Sequence, residues 1–196
     1  MTYPTFTAGE VLRAADMNAV GLWRTTPTVS GTGVSISKGT ITATAATTAN
    51  VTNCFSSDYD FYKMVIRYQT STTNDLFMQL RNGAVNAITN YNYSYIQAYL
   101  GFGVTVVRQN AQTQGLVGTS TNGAFWSGAT VDIMGPYLAE PTTYHSDNTR
   151  NDANYTNVAN YIMDGNHTTA TAYDGLRLFV ASGTFTAKFA IYGYNL

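Results

Sequence analysis

Apolar and polar residues alternate with a period of two through several short segments of the chain. In the segment 61–70, every second residue is aromatic or aliphatic, and the residues between them are mostly polar. A strand buried on one face requires this period, because successive side chains point to opposite faces of a sheet. The inward set of this segment would be Tyr62, Met64, Ile66 and Tyr68. Similar alternation predicts strands over 40–44, 76–81, 104–108, 128–134, 175–180 and 183–194.

Short polar breaks separate these segments. They are Thr73-Asn74-Asp75, Asn82-Gly83 and Ser182-Gly183. Asn, Asp, Ser and Gly are the residues that tight turns favour. Many short strands joined by such turns predict an all-β fold, an antiparallel β-sandwich.

The first residues differ from the rest, because TFTAGEVLRAADMNAV (residues 5–20) has the signals of a helix. Thr7 and Glu10 form a capping box, and Phe6 and Val11 can form a hydrophobic staple around it. Gly21 is a plausible helix end. The sequence thus predicts a helix over 6–21 and a linker over 22–33. The expected organisation is an attachment helix and linker in residues 1–28, followed by the sandwich in residues 29–196.

Two segments do not fit a simple strand pattern. In 88–101, the spacing of the tyrosines suits one face of either a strand or a helix, so periodicity leaves both open. Residues 135–174 are long and polar, which predicts an extended loop of the kind that often serves a function or binds a partner.

Composition excludes several classes of function. The net charge is −1 and only 11% of residues are charged, so neither a nucleic-acid surface nor a polybasic membrane-binding segment is expected. No apolar run is long enough for a membrane span, and the N-terminus lacks the pattern of a signal peptide. We therefore expect synthesis in a cytoplasm without export. Cys54 is the single cysteine, and we expect it to be a small buried residue on a strand.

Catalytic and metal-binding patterns are absent from the sequence. Glu10 and Glu140 are the only glutamates, which disfavours a carboxylate pair of the glycosidase type. His145, Asp147 and His167 match no compact zinc pattern, and we expect both histidines to be solvated loop residues. The sequence predicts no enzyme, no cofactor and no metal.

Tyrosines are the most numerous candidates for binding. Tyr and Asn suit both carbohydrate surfaces and protein interfaces. For the tyrosines of 88–101, core or subunit interface is the favoured interpretation and ligand stacking is the alternative. The candidate receptor or subunit contacts are Tyr91, Tyr93, Tyr95, Tyr99, Tyr144, His145 and Tyr155.

Three segments together resemble the tail-fibre and minor tail proteins of tailed bacteriophages. The first comprises Ala8-Gly9-Glu10-Val11-Leu12 and Ala14-Ala15-Asp16-Met17-Asn18. The second is VDIMGPYLAEPT, residues 131–142, a strand followed by a proline-containing segment. The third is DGLRLFVASGTFTAKFAIYGYNL at the end of the chain, which contains Tyr192-Gly193.

This resemblance implies a virion structural protein with a jelly-roll-like sandwich, often a homotrimer, and no catalytic residues. Its partners would be its own copies and other virion proteins, and its location the virion, with the tail favoured over the capsid. No long shaft lies between the ends, so a short fibre, a tail-tip piece and a head fibre or capsid decoration protein all remain open. The helix would dock on the virion or on other copies through Phe6, Val11, Leu12, Ala15 and Met17. A lectin-like module that binds host-surface glycan is the alternative function.

Overall fold

The computed structural model describes residues 21–99, 103–120, 125–151 and 158–195. Within these ranges the chain forms sixteen strands and no helix. The strands of the first half are β1 (Trp23–Arg24), β2 (Thr28–Ser30), β3 (Val34–Ser37), β4 (Thr40–Ala46), β5 (Thr48–Thr52), β6 (Phe61–Thr70), β7 (Asn74–Asn82) and β8 (Val85–Asn86). Those of the second half are β9 (Tyr91–Tyr99), β10 (Gly103–Gln112), β11 (Gly115–Ser120), β12 (Ser127–Met134), β13 (Thr142–Asn151), β14 (Val158–His167), β15 (Gly175–Val180) and β16 (Phe185–Tyr194).

The strands form two sheets, and every described strand pairing is antiparallel. The large sheet has ten strands in the order β10-β9-β14-β13-β12-β6-β16-β4-β3, with β1 paired to β16. The small sheet has six strands in the order β11-β7-β15-β5-β2, with β8 paired to β7.

The two sheets pack against each other around one main hydrophobic core. Met64 and Ile66 of the large sheet belong to the same buried cluster as Leu76 and Leu178 of the small sheet. Each fully buried aliphatic side chain of this kind contributes about 1.5–3 kcal/mol relative to exposure. The all-β fold and the antiparallel sandwich are therefore confirmed.

The large sheet also curls around the β11 edge of the small sheet. All six residues of β11 are buried. Val117 belongs to the main core, whereas its neighbour Leu116 packs in a second cluster with Tyr161 and Met163 of β14. Since consecutive strand residues point to opposite faces, β11 is covered on both sides. Phe77 of β7 belongs to this second cluster, so β14 reaches the far face of the small sheet.

Two glycines permit this close packing. A Cβ on Gly118 of β11 would lie 2.4 Å from the Tyr68 hydroxyl, and one on Gly165 of β14 would lie 2.3 Å from the Tyr144 ring. These glycines allow buried tyrosines of the large sheet to lie directly against backbone.

The sequence predicted the regular strands well. The seven segments with a period of two are confirmed as β4, β6, β7, β10, β12, β15 and β16, with small differences at their ends. Within the ambiguous segment 88–101, the strand alternative is confirmed for Tyr91–Tyr99, which form β9. The predicted turn at residues 73–75 lies slightly earlier, because β7 begins at Asn74.

Two predictions of irregular structure were wrong. Residues 135–174 are not one long loop, because β13 and β14 pair along ten residues within them. Polar residues at alternate positions of β13 are buried and hydrogen-bonded across the sandwich, as with Ser146 and Asn148, so polarity there does not indicate solvent. Residues 22–33 contain β1 and β2 rather than a plain linker, and the expected boundary after residue 28 falls inside β2.

Cys54 is buried, as predicted, although it follows β5 rather than lying on a strand. Burial raises the pKa of its thiol, which keeps it protonated. The predicted helix lies, apart from Gly21, outside the described residues, as do its proposed docking residues.

Candidate ligand-binding groove

The outer face of the large sheet, which points away from the small sheet, carries its polar side chains in rows across the strands. Antiparallel register places one residue from each of eight strands at the same height. We name this set the charged row: Arg108, Ser94, Asp164, His145, Asp132, Lys63, Tyr192 and Arg24.

Neighbours in the charged row bind one another. The Lys63 ammonium lies 2.7 Å from a carboxylate oxygen of Asp132. The Arg24 guanidinium donates a 2.8 Å hydrogen bond to the Tyr192 hydroxyl and lies over its ring. Such cross-strand pairs are each worth a few tenths of a kcal/mol to about 1 kcal/mol at a surface. These contacts explain the polar residues in this half of the row by their structural role, without any ligand.

A second row, of three polar side chains and a methionine, lies beside the charged row. It consists of Asn92, Asn166, Thr143 and Met134, which face one another across β9, β14, β13 and β12. We name it the amide row. The Asn92 amide donates a 3.0 Å hydrogen bond to the Asn166 side chain, and its oxygen accepts one from the Ala111 backbone. These bonds fix the Asn92 side chain before any ligand arrives.

An open groove of about 550 Å³ runs between the amide row and the β10 end of the charged row. Its polar lining residues are Asn92, Ser94, Arg108, Asn110, Thr143, His145, Asp164 and Asn166. Amides and hydroxyls both donate and accept hydrogen bonds, while Arg108 only donates and an ionised Asp164 only accepts. The groove suits a ligand with many hydroxyl groups, and its openness suits an extended chain.

In the groove, the imidazole ring of His145 lies between two carboxylates. Its Nδ1 lies 2.8 Å from Asp164 and its Nε2 lies 3.5 Å from Asp147. The hydrogen bond to Asp164 raises the pKa of His145, burial opposes it, and the charge of Asp147 raises the pKa further. Two carboxylates at the two ring nitrogens favour the imidazolium, in which both nitrogens donate.

We predict that His145 titrates above the ordinary histidine pKa and that Asp164→Asn lowers its pKa. Because the folded-state pKa is raised, the stabilisation by His145 is complete below about pH 6.5, the ordinary value. It is lost as pH rises through the folded-state pKa. NMR titration measures the pKa of His145 and that of the second histidine, His167, in one experiment. A His145 pKa that stays unchanged in Asp164→Asn would rule out this pairing as the cause.

His167 provides the internal reference, because it behaves in the opposite way. It is 2% exposed and lies between the rings of Tyr91 and Tyr173, at 4.6 and 5.3 Å between centroids. Burial lowers its pKa. The prediction that both histidines are solvated loop residues was wrong, since His145 lies in β13 and His167 ends β14.

The tyrosines of β9 share one face, but it is the inner one. Tyr91 is fully buried, and its hydroxyl accepts a 2.7 Å hydrogen bond from the Leu80 backbone. Tyr93, Tyr95 and Tyr99 are half-buried against the second cluster. This burial agrees with the favoured interpretation, core or subunit interface, and of these four tyrosines Tyr93 also borders the groove.

Tyr144 and His145 both border the groove, although their side chains lie on opposite faces of β13. Tyr144 is 3% exposed, and its hydroxyl accepts a 3.2 Å hydrogen bond from the Leu116 backbone. His145, its neighbour in sequence, faces the groove from the opposite side of the sheet. Tyr155 lies outside the described residues.

Most groove residues were missed by the sequence analysis. Asn92 and Ser94, Arg108 and Asn110, and Asp164 and Asn166 are polar pairs two residues apart, each pair on its own strand. This spacing is a readable signal for one strand face. It does not reveal which strands are neighbours, and the groove exists only because β10, β9, β14 and β13 are adjacent.

Other kinds of site find no support in the described residues. No group of three or more histidine, cysteine, aspartate or glutamate side chains there is arranged to hold a metal ion. No helix within the same ranges is long and apolar enough to cross a membrane. Models of known protein families do not match the chain, and neither do curated protein sequences.

Proposed function

We propose that the protein is a structural component of a tailed-bacteriophage virion, a tail-associated subunit whose sandwich contacts host-surface polysaccharide. The sequence resemblance at both ends and at residues 131–142 supports the virion assignment. The groove on the outer face is the observation that carries the binding role, because it gathers amide, hydroxyl and charged groups on one accessible surface. The strand layout is compatible with a jelly-roll-like sandwich, which the resemblance implies.

In this proposal, the N-terminal residues attach the subunit to the virion and the sandwich binds the host surface. Residues 1–20 would attach the subunit to the virion through Phe6, Val11, Leu12, Ala15 and Met17. The sandwich would project outward, so that the groove faces the host. The copies would form a homotrimer, the state that the resemblance implies. A repeating polysaccharide suits several copies, because linked weak sites bind a polymer with much higher avidity than one site.

The binding role predicts that Asn166→Ala weakens binding to polysaccharide from the host envelope by about 2–10-fold, the effect of losing one hydrogen bond of about 0.5–1.5 kcal/mol. Asn166 accepts a hydrogen bond from its neighbour Asn92 in the amide row, so the change also releases a second amide. Calorimetry with purified host polysaccharide measures the affinity.

Asn160→Ala is the matched control. Asn160 is exposed on the same strand and the same face, but it does not line the groove. Equal affinity of Asn166→Ala and the unmodified protein, with both folded, would exclude the groove as the binding surface. The virion assignment would survive that outcome, because it depends on particle localisation.

A further inference from the structure

The cations of the charged row differ in whether their side chains have a partner. Lys63 binds Asp132, and Arg24 binds Tyr192. Within the ranges that the structure describes, the Arg108 side chain makes no hydrogen bond, ion pair or ring contact. Every other arginine of those ranges makes at least one such contact; they are Arg24, Arg67, Arg81, Arg150 and Arg177. Arg108 therefore presents an uncommitted guanidinium to the groove that it lines.

Two neutral polar side chains flank this guanidinium. Ser94 faces Arg108 across the register of β9 and β10, and Asn110 follows two residues later on β10. Both line the groove, and neither side chain has a hydrogen-bond partner among the described residues. The amide row differs, because Asn92 and Asn166 already bind each other there. The three unpaired side chains thus form one corner of the groove, which we name the β10 corner.

The carboxylate that lines the groove has its own cation. Asp164 is 2.8 Å from Nδ1 of His145, and Ser94 lies between Asp164 and Arg108 in the register. Asp147, at the other ring nitrogen, is in register with Ile162, on the side of the charged row away from the amide row. With His145 protonated, the groove lining has two positive groups and one negative group. Asp164 therefore leaves the charge of Arg108 available to a ligand.

We infer that the groove selects acidic over neutral polysaccharide, and that Arg108 binds the anionic group of the polymer, a carboxylate or a phosphodiester. A guanidinium offers paired N–H donors that match two oxygens of such a group. The Ser94 hydroxyl and the Asn110 amide can bind sugar hydroxyls beside it. This inference rests on the proposed function, because it names the class of polymer that the same groove binds.

The preference for an acidic polymer has to come from the β10 corner itself. The whole chain has a net charge of −1, so its overall field does not attract polyanions. A neutral polysaccharide would leave the guanidinium with water as its partner, whereas an acidic one gains a charge-assisted hydrogen bond there. The two polymers should therefore differ in affinity through one residue.

The test is calorimetry of the full-length chain with host-envelope polysaccharide, before and after chemical reduction of its carboxyl groups to neutral alcohols. Arg108→Gln should weaken binding of the unreduced polymer by about 5–30-fold, because hydrogen bonds to charged groups are strong although solvent screens an exposed one. If the anionic group is a carboxylate, reduction weakens binding of the unmodified protein by a similar factor, and Arg108→Gln then has no further effect. If it is a phosphodiester, reduction changes neither affinity.

Lys188→Gln is the matched control, because it removes the same charge from an exposed residue of β16 that does not line the groove. It should leave the affinity unchanged, and thermal unfolding should show that both variants remain folded. Equal affinity of Arg108→Gln and the unmodified protein would overturn the inference but leave polysaccharide binding intact. An equal loss in Lys188→Gln would also overturn it, since the effect would then follow total charge. An unmodified protein that binds neither form of the polymer would remove the proposed function, and this inference with it.

Discussion

Replacing Tyr91 with alanine is expected to lower the free energy of unfolding by about 3–5 kcal/mol, the usual cost of removing a large buried aromatic side chain. Tyr91 is fully buried and its ring lies against His167, with 4.6 Å between centroids. Its hydroxyl accepts the Leu80 backbone hydrogen bond, so alanine also leaves a buried donor without a partner. Urea unfolding followed by fluorescence measures the loss.

The control for this change is Tyr137→Ala, because Tyr137 is 39% exposed and its removal creates no internal cavity. We expect it to change stability by less than about 0.5 kcal/mol, as surface substitutions usually do. The comparison decides between two interpretations of the tyrosines of β9. If Tyr91→Ala kept full stability but abolished binding of polysaccharide, Tyr91 would be a ligand residue and its buried placement would be wrong.

Replacing Asn148 with alanine is expected to cost about 2–4 kcal/mol, because it leaves several buried groups with fewer partners. The Asn148 amide nitrogen donates to the Tyr68 hydroxyl at 3.1 Å and to the Gly128 carbonyl at 3.0 Å. Its oxygen accepts from the Thr119 backbone at 3.0 Å. One side chain of β13 thereby binds β6, β12 and β11. The unfolding free energy in urea gives the cost.

A second variant serves as the control, because it removes an asparagine side chain that does not belong to this buried network. Asn160→Ala removes an exposed amide from the neighbouring strand and should change stability by less than about 0.5 kcal/mol. We also expect Asn148→Ala to increase hydrogen exchange in β11, since that strand loses one bond to the large sheet. Equal stability of the two variants would show that the buried network does not hold β11.

Strands that alternate between core and solvent could be predicted from the sequence, because the side-chain period reports burial directly. β6 is the clearest case, with Tyr62, Met64, Ile66 and Tyr68 all buried. Prediction from this period fails when the inward-facing residues are themselves polar. In β13, Ser146 and Asn148 point inward and are satisfied by hydrogen bonds across the sandwich, so the strand resembled a polar loop.

The groove could not be predicted for a different reason. His145 and Asp164 are nineteen residues apart in sequence, and they become neighbours only through the register of β13 on β14. Arg108 and Ser94 meet through a second register, that of β10 on β9. Sequence fixes which face of a strand is polar, whereas the order of strands depends on long-range pairing. Composition alone therefore directed attention to the tyrosines, which are mostly core residues.

We therefore assign different roles to the two faces of the large sheet. Its inner face, rich in tyrosine, stabilises the fold and holds β11 on both sides. Its outer face carries the groove, to which we assign polysaccharide binding. Each role has its own variants: Tyr91→Ala and Asn148→Ala for the inner face, and Asn166→Ala for the groove.

The central claim, a structural protein of the phage tail, is tested most directly by immunogold labelling of intact phage particles with antibody raised against the purified chain. We predict gold at the tail tip or baseplate. Gold on the capsid would contradict the tail placement and assign the same sandwich to a head fibre or decoration protein. Absence of label on both intact and disrupted particles would contradict the virion role itself, leaving a free polysaccharide-binding module.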